Sequence, residues 1–317
     1  MIGNISASLA RIAHRTRRAH CDGRRSDPSH ADTPADHSEI SAPDCHRGRV
    51  IDPASVAISP ARTLASKVPE ITALFWVIKV LSTGMGETFS DFLVSHLPPE
   101  IAVGGAGLAL IASLIVQFRS RRYVAWIYWT AVVMVSICGT MVADVVDFVV
   151  GVPLLLSTII FATLLAAVFG LWHASEKTLS VHSITTRRRE AFYWATVMVT
   201  FALGTVAGDL TAGTLHLGYF PSTLLFAVVI AVPAIAHRRG LLAAIPAFWS
   251  AYVVTRPLGA SATDWLASNR SDGLNLGTGW VSLAVTIPMV ALIAVLALRP
   301  DLVGATPAKE TASAGRR

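Results

Sequence analysis

Four tryptophans, Trp76, Trp129, Trp194 and Trp249, are each followed by a glycine ten positions on and an aspartate fifteen positions on. The glycines are Gly86, Gly139, Gly204 and Gly259, and the aspartates are Asp91, Asp144, Asp209 and Asp264. An aromatic residue precedes each tryptophan: Phe75, Tyr128, Tyr193 and Phe248. With only 8 Trp and 13 Asp in 317 residues, four of each in one register is an internal four-fold repeat. Any fold must therefore set a carboxylate at the same height in four equivalent segments.

Those segments are apolar. Charged residues make up 15% of the chain against about 25% in a soluble domain, and mean hydropathy is +0.56, so most of the chain is expected in lipid. The net charge of +6 comes from arginines in the first sixty residues or so and in the short gaps between apolar runs. That distribution suits loops facing phospholipid and gives no nucleic-acid surface. Cys21, Cys45 and Cys138 form no disulfide framework. No Gly-rich phosphate loop, HExxH, GxSxG or paired-cysteine motif is present, so no enzyme is expected. The first twenty residues lack the apolar stretch of a cleavable signal, which makes the first apolar helix an uncleaved anchor.

Residues 1–66 read as a disordered, basic and histidine-rich cytoplasmic arm, whose His and Cys spacing fits no compact zinc site. Residues 67–298 read as an all-α membrane domain, and 299–317 as a cytoplasmic tail. Spanning-length apolar runs predict eight helices at about 70–95, 99–118, 123–149, 154–173, 191–215, 220–236, 241–268 and 277–298. They pair into four repeats at about 67–118, 123–173, 187–236 and 241–298. Pro233 predicts a tilt or kink in the sixth helix. Orientation follows from the loops: Arg119, Arg121 and Arg122, then Lys177 and Arg187 to Arg189, then Arg238 and Arg239, and Arg299, with Arg62 and Lys67 ahead of the first helix. The opposite loops hold only Arg270, so both termini are expected in the cytoplasm. Each repeat is then one hairpin, all four pointing the same way, in a ring or two-by-two arrangement around a central axis.

Polarity is confined to the odd-numbered helices. Steps of four residues follow nearly one helix face, and in the first helix they read Lys79, Thr83, Glu87, Asp91. The equivalents are Val132, Ser136, Thr140, Asp144, then Val197, Phe201, Thr205, Asp209, then Tyr252, Arg256, Ala260, Asp264. The even helices read as apolar with small residues and no charge, a packing or lipid-facing layer. The tryptophans, about 22 Å along the axis from the aspartates, are expected as interface anchors, and the glycines as helix-packing positions. Charges present in one repeat only (Lys79, Glu87, Arg256) break the four-fold likeness. Glu87 could pair with Arg256 across helices one and seven, and Lys79 could snorkel toward the cytoplasm.

The stretches KVPEITALFWVIKVLSTGMGETFSDF, FYWATVMVTFALGTVAGDLTAGTLHLGY and FWSAYVVTRPLGASATDWLA resemble a family of bacterial membrane-anchored proteins with four tandem repeats of unknown function. Each repeat of that family has two transmembrane segments and a characteristic tryptophan. The resemblance covers about residues 67–298 and implies a bacterial inner-membrane location. It implies no activity.

The main functional expectation is a transporter or permease for a small cation, divalent or proton-coupled. Glu87, Asp91, Asp144, Asp209 and Asp264 would supply hard oxygen ligands, aided by Thr83, Thr88, Ser136, Thr140 and Thr205, with Lys79 or Arg256 neutralising the empty site. The alternative is a non-transporting membrane scaffold or partner-binding subunit that uses its carboxylates for helix assembly. The bilayer is the expected partner; the pattern specifies no particular metal, cofactor or oligomeric state.

Overall fold

The computed structural model describes residues 66–269 and 273–299. The expected arm up to residue 65, Arg270 and the tail beyond 299 lie outside the described residues. The described chain is all-α. We label its long helices α1 (Ala73–His96), α2 (Pro99–Arg119), α3 (Ala125–Asp144), α4 (Leu154–Glu176), α5 (Arg187–Asp209), α6 (Tyr219–Arg238), α7 (Ala244–Ala267) and α8 (Thr278–Leu298). Their starts have local causes. Thr72 and Thr186 accept from the backbone N–H of Phe75 and Arg189 to cap α1 and α5, and proline opens α2, where a missing N–H costs nothing. Pro233 and Pro257 sit inside helices that run on through them. α3 and α5 each continue into a single π-helical turn, Val145–Val149 and Leu210–Thr214, directly after Asp144 and Asp209.

Burial divides the helices into two layers. α1, α3, α5 and α7 bury most of their middle turns, whereas α2 buries only Ala102, Ala106 and Gln117, and α6 only Ser222 and Pro233. The even helices instead expose large apolar side chains in a belt that includes Leu108, Ile111, Leu155, Leu224, Val228 and Ile287. So much exposed apolar surface is consistent with a lipid surrounding. Six helices (α2, α3, α4, α5, α6 and α8, with their π turns) are long and apolar enough to cross a membrane. α1 and α7 are not among them; they carry Lys79, Glu87, Asp91, Arg256 and Asp264, and they sit inside.

The inner helices form a closed ring, α1 against α3, α3 against α5, α5 against α7, and α7 back against α1. The outer helices do not lie chiefly on their own repeat's partner, as a set of independent hairpins would require. α2 packs on α3, α4 on α5, α6 on α7, and α8 closes the circle on α1. Each outer helix thus staples its repeat to the next, so no repeat buries its apolar face alone.

The repeated glycines are where the ring closes. A side-chain carbon on Gly86 would collide with Ser136, on Gly139 with Phe201, on Gly204 with Arg256, and on Gly259 with Thr83. All four partners stand seven residues after their repeat's tryptophan, so one contact type recurs around the ring. Absent side chains let the backbones approach closely, as small-residue packing in membranes requires.

Candidate functional site

The stripes of four-residue steps turn toward the ring's axis and stack as layers. The layer nearest the helix starts is aromatic. Tyr128 and Tyr193 share a hydroxyl–hydroxyl hydrogen bond of 2.5 Å. The Trp129 ring lies 5.7 Å from Phe75, Trp194 lies 5.7 Å from Tyr128, and Trp249 lies 5.0 Å from Phe169. Trp129, Trp194 and Trp249 are buried, and Trp249 donates its indole N–H to the Leu179 carbonyl at 2.9 Å. Of the four repeated tryptophans, Trp76 is only partly buried. Against the anchor expectation, three of the four indoles are buried among other aromatic rings, because the flanking aromatics of neighbouring repeats meet at that level.

One turn further on, Lys79 is fully buried and does not snorkel. Its Nζ sits 3.9 Å from the Phe201 ring centroid and 4.2 Å from that of Tyr252, and it has no hydrogen-bond partner among the described residues. Among the described residues, ring faces are its compensation.

The centre of the axis is an oxygen cage around the Arg256 guanidinium. Nη2 donates to Glu87 Oε2, to Thr140 Oγ1 and, at 2.8 Å, to Thr205 Oγ1. Nη1 donates to the Thr83 carbonyl at 2.6 Å, and Nε to the Phe201 carbonyl at 3.3 Å. The threonine hydroxyls also face Glu87 Oε2, at 3.1 Å from Thr140 and 3.4 Å from Thr205. All four inner helices therefore meet at one buried side chain. Repeat register explains the fit. Glu87, Thr140 and Thr205 share a height, and the fourth repeat has Ala260 there, which leaves room for the Arg256 head. Gly204 makes room for its stem.

The remaining predicted ligands are placed less centrally. Thr83 contributes its carbonyl to the cage, while its hydroxyl donates to the carbonyls of Val80 and Thr255. Thr88 donates back to the Gly84 carbonyl within its own helix, and the Ser136 hydroxyl is buried without a partner among the described residues. Asp91, Asp144, Asp209 and Asp264 form a half-buried rim beyond the cage. Asp264 and Asp144 each lie within electrostatic range of Glu87, Asp91 and Asp209. Among the described residues these four carboxyls make no ion pair, and no three His, Cys, Asp or Glu side chains converge as metal ligands. The guanidinium pairs with Glu87, as the lone opposite charges allowed, and among the described residues not with an aspartate.

A second buried polar cluster escaped the sequence reading. Lys67 Nζ pairs with Glu190 Oε2 at 2.6 Å, Gln117 Nε2 donates to Glu190 Oε1 at 3.0 Å, and Lys67 also reaches the Phe118 carbonyl. Lys67 was legible only as a loop charge. The available signals were Gln117, the one amide in α2, and Glu190, the one acid among the arginines that open α5.

The family described as Repeat of Unknown Function (DUF347) matches the chain four times, over residues 74–123, 127–178, 192–239 and 247–300. Each match spans one inner and one outer helix. No curated protein and no solved structure matches the chain.

Proposed function

We propose that this chain, which belongs to the family built from the Repeat of Unknown Function (DUF347), is a multi-pass membrane scaffold that binds a partner and conducts no ions. The observation that carries this reading is the Arg256 cage. A side chain that hydrogen-bonds α1, α3 and α5 from α7 locks the four inner helices and fills the axis where a permeation path would run. A buried network that joins all four inner helices in this way specifies one arrangement of them. The surface offered to a partner transmembrane helix is the groove of about 600 Å³ between α1, α6 and α7, walled by Ala231, Ala234, Ala247 and Ala251 over Trp76 and Phe248. Small residues of this kind let a second helix approach closely.

A second reading, permeation or binding of a small cation, is favoured by one observation. The four aspartates stand partly exposed at one end of the axis and make no ion pair among the described residues, which suits attraction of a cation. In this reading the bundle sits in a bacterial inner membrane with its basic loops cytoplasmic and the acidic rim on the far side. Purified protein in vesicles separates the two. The scaffold reading expects ion flux no greater than that of empty vesicles, and flux that Glu87→Gln abolishes would replace it with the permeation reading.

A further inference from the structure

The Arg256 cage has the composition of a cation receptor. Its inward-facing groups are one carboxylate oxygen (Glu87), two hydroxyl oxygens (Thr140, Thr205) and two backbone carbonyls (Thr83, Phe201); the first three share the two N–H bonds of Nη2, and the carbonyls accept from Nη1 and Nε of the planar guanidinium. They come from three helices, and Arg256 comes from the fourth. Every one of these residues is buried. One formal negative charge faces one formal positive charge. The Phe201 ring flanks the cage, with its centroid 5.3 Å from the guanidinium carbon. The Ser136 hydroxyl, at the same register as Arg256 on α3, is buried without a partner among the described residues. These features are built from α1, α3 and α5 and do not need the Arg256 backbone.

We infer that Glu87, Thr140, Thr205 and the carbonyls of Thr83 and Phe201 form a binding site for a singly charged guanidinium-class cation, in which Arg256 is the tethered resident. Arg256 excludes a free ligand as an intramolecular competitor held at high effective concentration. The acidic rim of Asp91, Asp144, Asp209 and Asp264 lies beyond the cage and draws cations toward it. Removing the tether leaves a buried, shape-matched, anionic vacancy. The inference rests on the cage geometry described above and is independent of whether the protein moves ions.

The test uses the full chain purified in detergent. Tm is followed while guanidinium chloride is raised through low millimolar concentrations, with sodium chloride at equal ionic strength and urea as a neutral planar analogue. Arg256→Met is expected to gain a guanidinium-specific rise in Tm that grows with the logarithm of concentration, as mass action requires. The wild type gains none over this range, since its site is filled. The double variant E87Q/R256M loses the response, because the anion is gone. An R256M response equal to that in sodium chloride or urea, or an equal response in E87Q/R256M, overturns the inference. If R256M does not fold unaided, its recovery is compared with guanidinium or sodium chloride present throughout purification. Recovery with guanidinium alone supports the site, and equal failure in both removes it. Ion flux in vesicles bears only on the scaffold reading, so the two claims fail by separate measurements.

Discussion

The side-chain carbon that Gly204 lacks would overlap Cβ and Cγ of Arg256 and come within 2.9 Å of Cδ of Pro257. A glycine on α5 thus sets where the buried guanidinium of α7 can stand. One hydrogen atom at residue 204 connects the repeat pattern to the polar centre of the bundle.

Gly204→Ala is therefore expected to push Arg256 out of its cage and to destabilise the protein by about 1–3 kcal/mol or more, the usual cost of overpacking. Gly104→Ala on the outer helix α2 meets nothing within 4 Å and is expected to be neutral or stabilising by about 0.5–1 kcal/mol. Thermal or denaturant unfolding in detergent, run on both variants, checks the contrast. Equal effects would show that the ring glycines are not contact positions.

Glu87→Gln and Arg256→Met each leave a buried partner stranded. Each is expected to cost about 3–5 kcal/mol, while the double variant costs much less than the sum. A double-mutant cycle on unfolding reads the coupling directly, and additivity would place the two residues in separate roles.

Lys79 invites the opposite outcome. Its ammonium has ring faces on Phe201 and Tyr252 but no carboxylate and no hydrogen-bond acceptor among the described residues. The cation–π gain of about 2 kcal/mol is smaller than the several kcal/mol needed to bury an unpaired ion. Lys79→Met, similar in length and apolar, should raise Tm. A clear fall would mean that the charge itself is used.

The acidic rim should be dispensable for folding. Asp91, Asp144, Asp209 and Asp264 hold no ion pair among the described residues and stand within range of neighbouring carboxylate charge. Replacing all four by asparagine removes like-charge repulsion and is expected to leave Tm unchanged or higher. A marked loss of folded protein would reassign helix assembly from Glu87 and Arg256 to the aspartates.

Glu190→Ala should release the segment ahead of α1. Lys67 and Gln117 lose their common acceptor, and the Lys67 backbone N–H, bonded to the Ile184 carbonyl at 3.2 Å, becomes easier to open. Faster amide exchange over residues 66–72 with unchanged exchange in the ring helices is the expected pattern.

Much of the architecture was legible in the repeat itself. The fixed Trp–Gly–Asp spacing put Lys79, Thr83, Glu87 and their equivalents on one face of each odd helix, and those faces do turn to a common axis. Helix limits were close, because apolar length and basic loop residues are local properties. The sequence also allowed the Glu87–Arg256 pair, since two lone opposite charges in apolar helices need one another.

What the chain could not reveal alone was which surfaces meet. Period and composition say that an outer helix is apolar; they do not say whether α2 rests on α1 or on α3. That choice comes from packing, where each glycine accepts the neighbouring repeat's seventh residue after tryptophan and α8 returns to α1. The inward turn of Trp129, Trp194 and Trp249 follows from the same closure, since their aromatic flanks meet only once the ring is complete. So does the cage. Repetition along the sequence supplied four similar segments, but only their close approach in space could surround Arg256 with acceptors from three other helices.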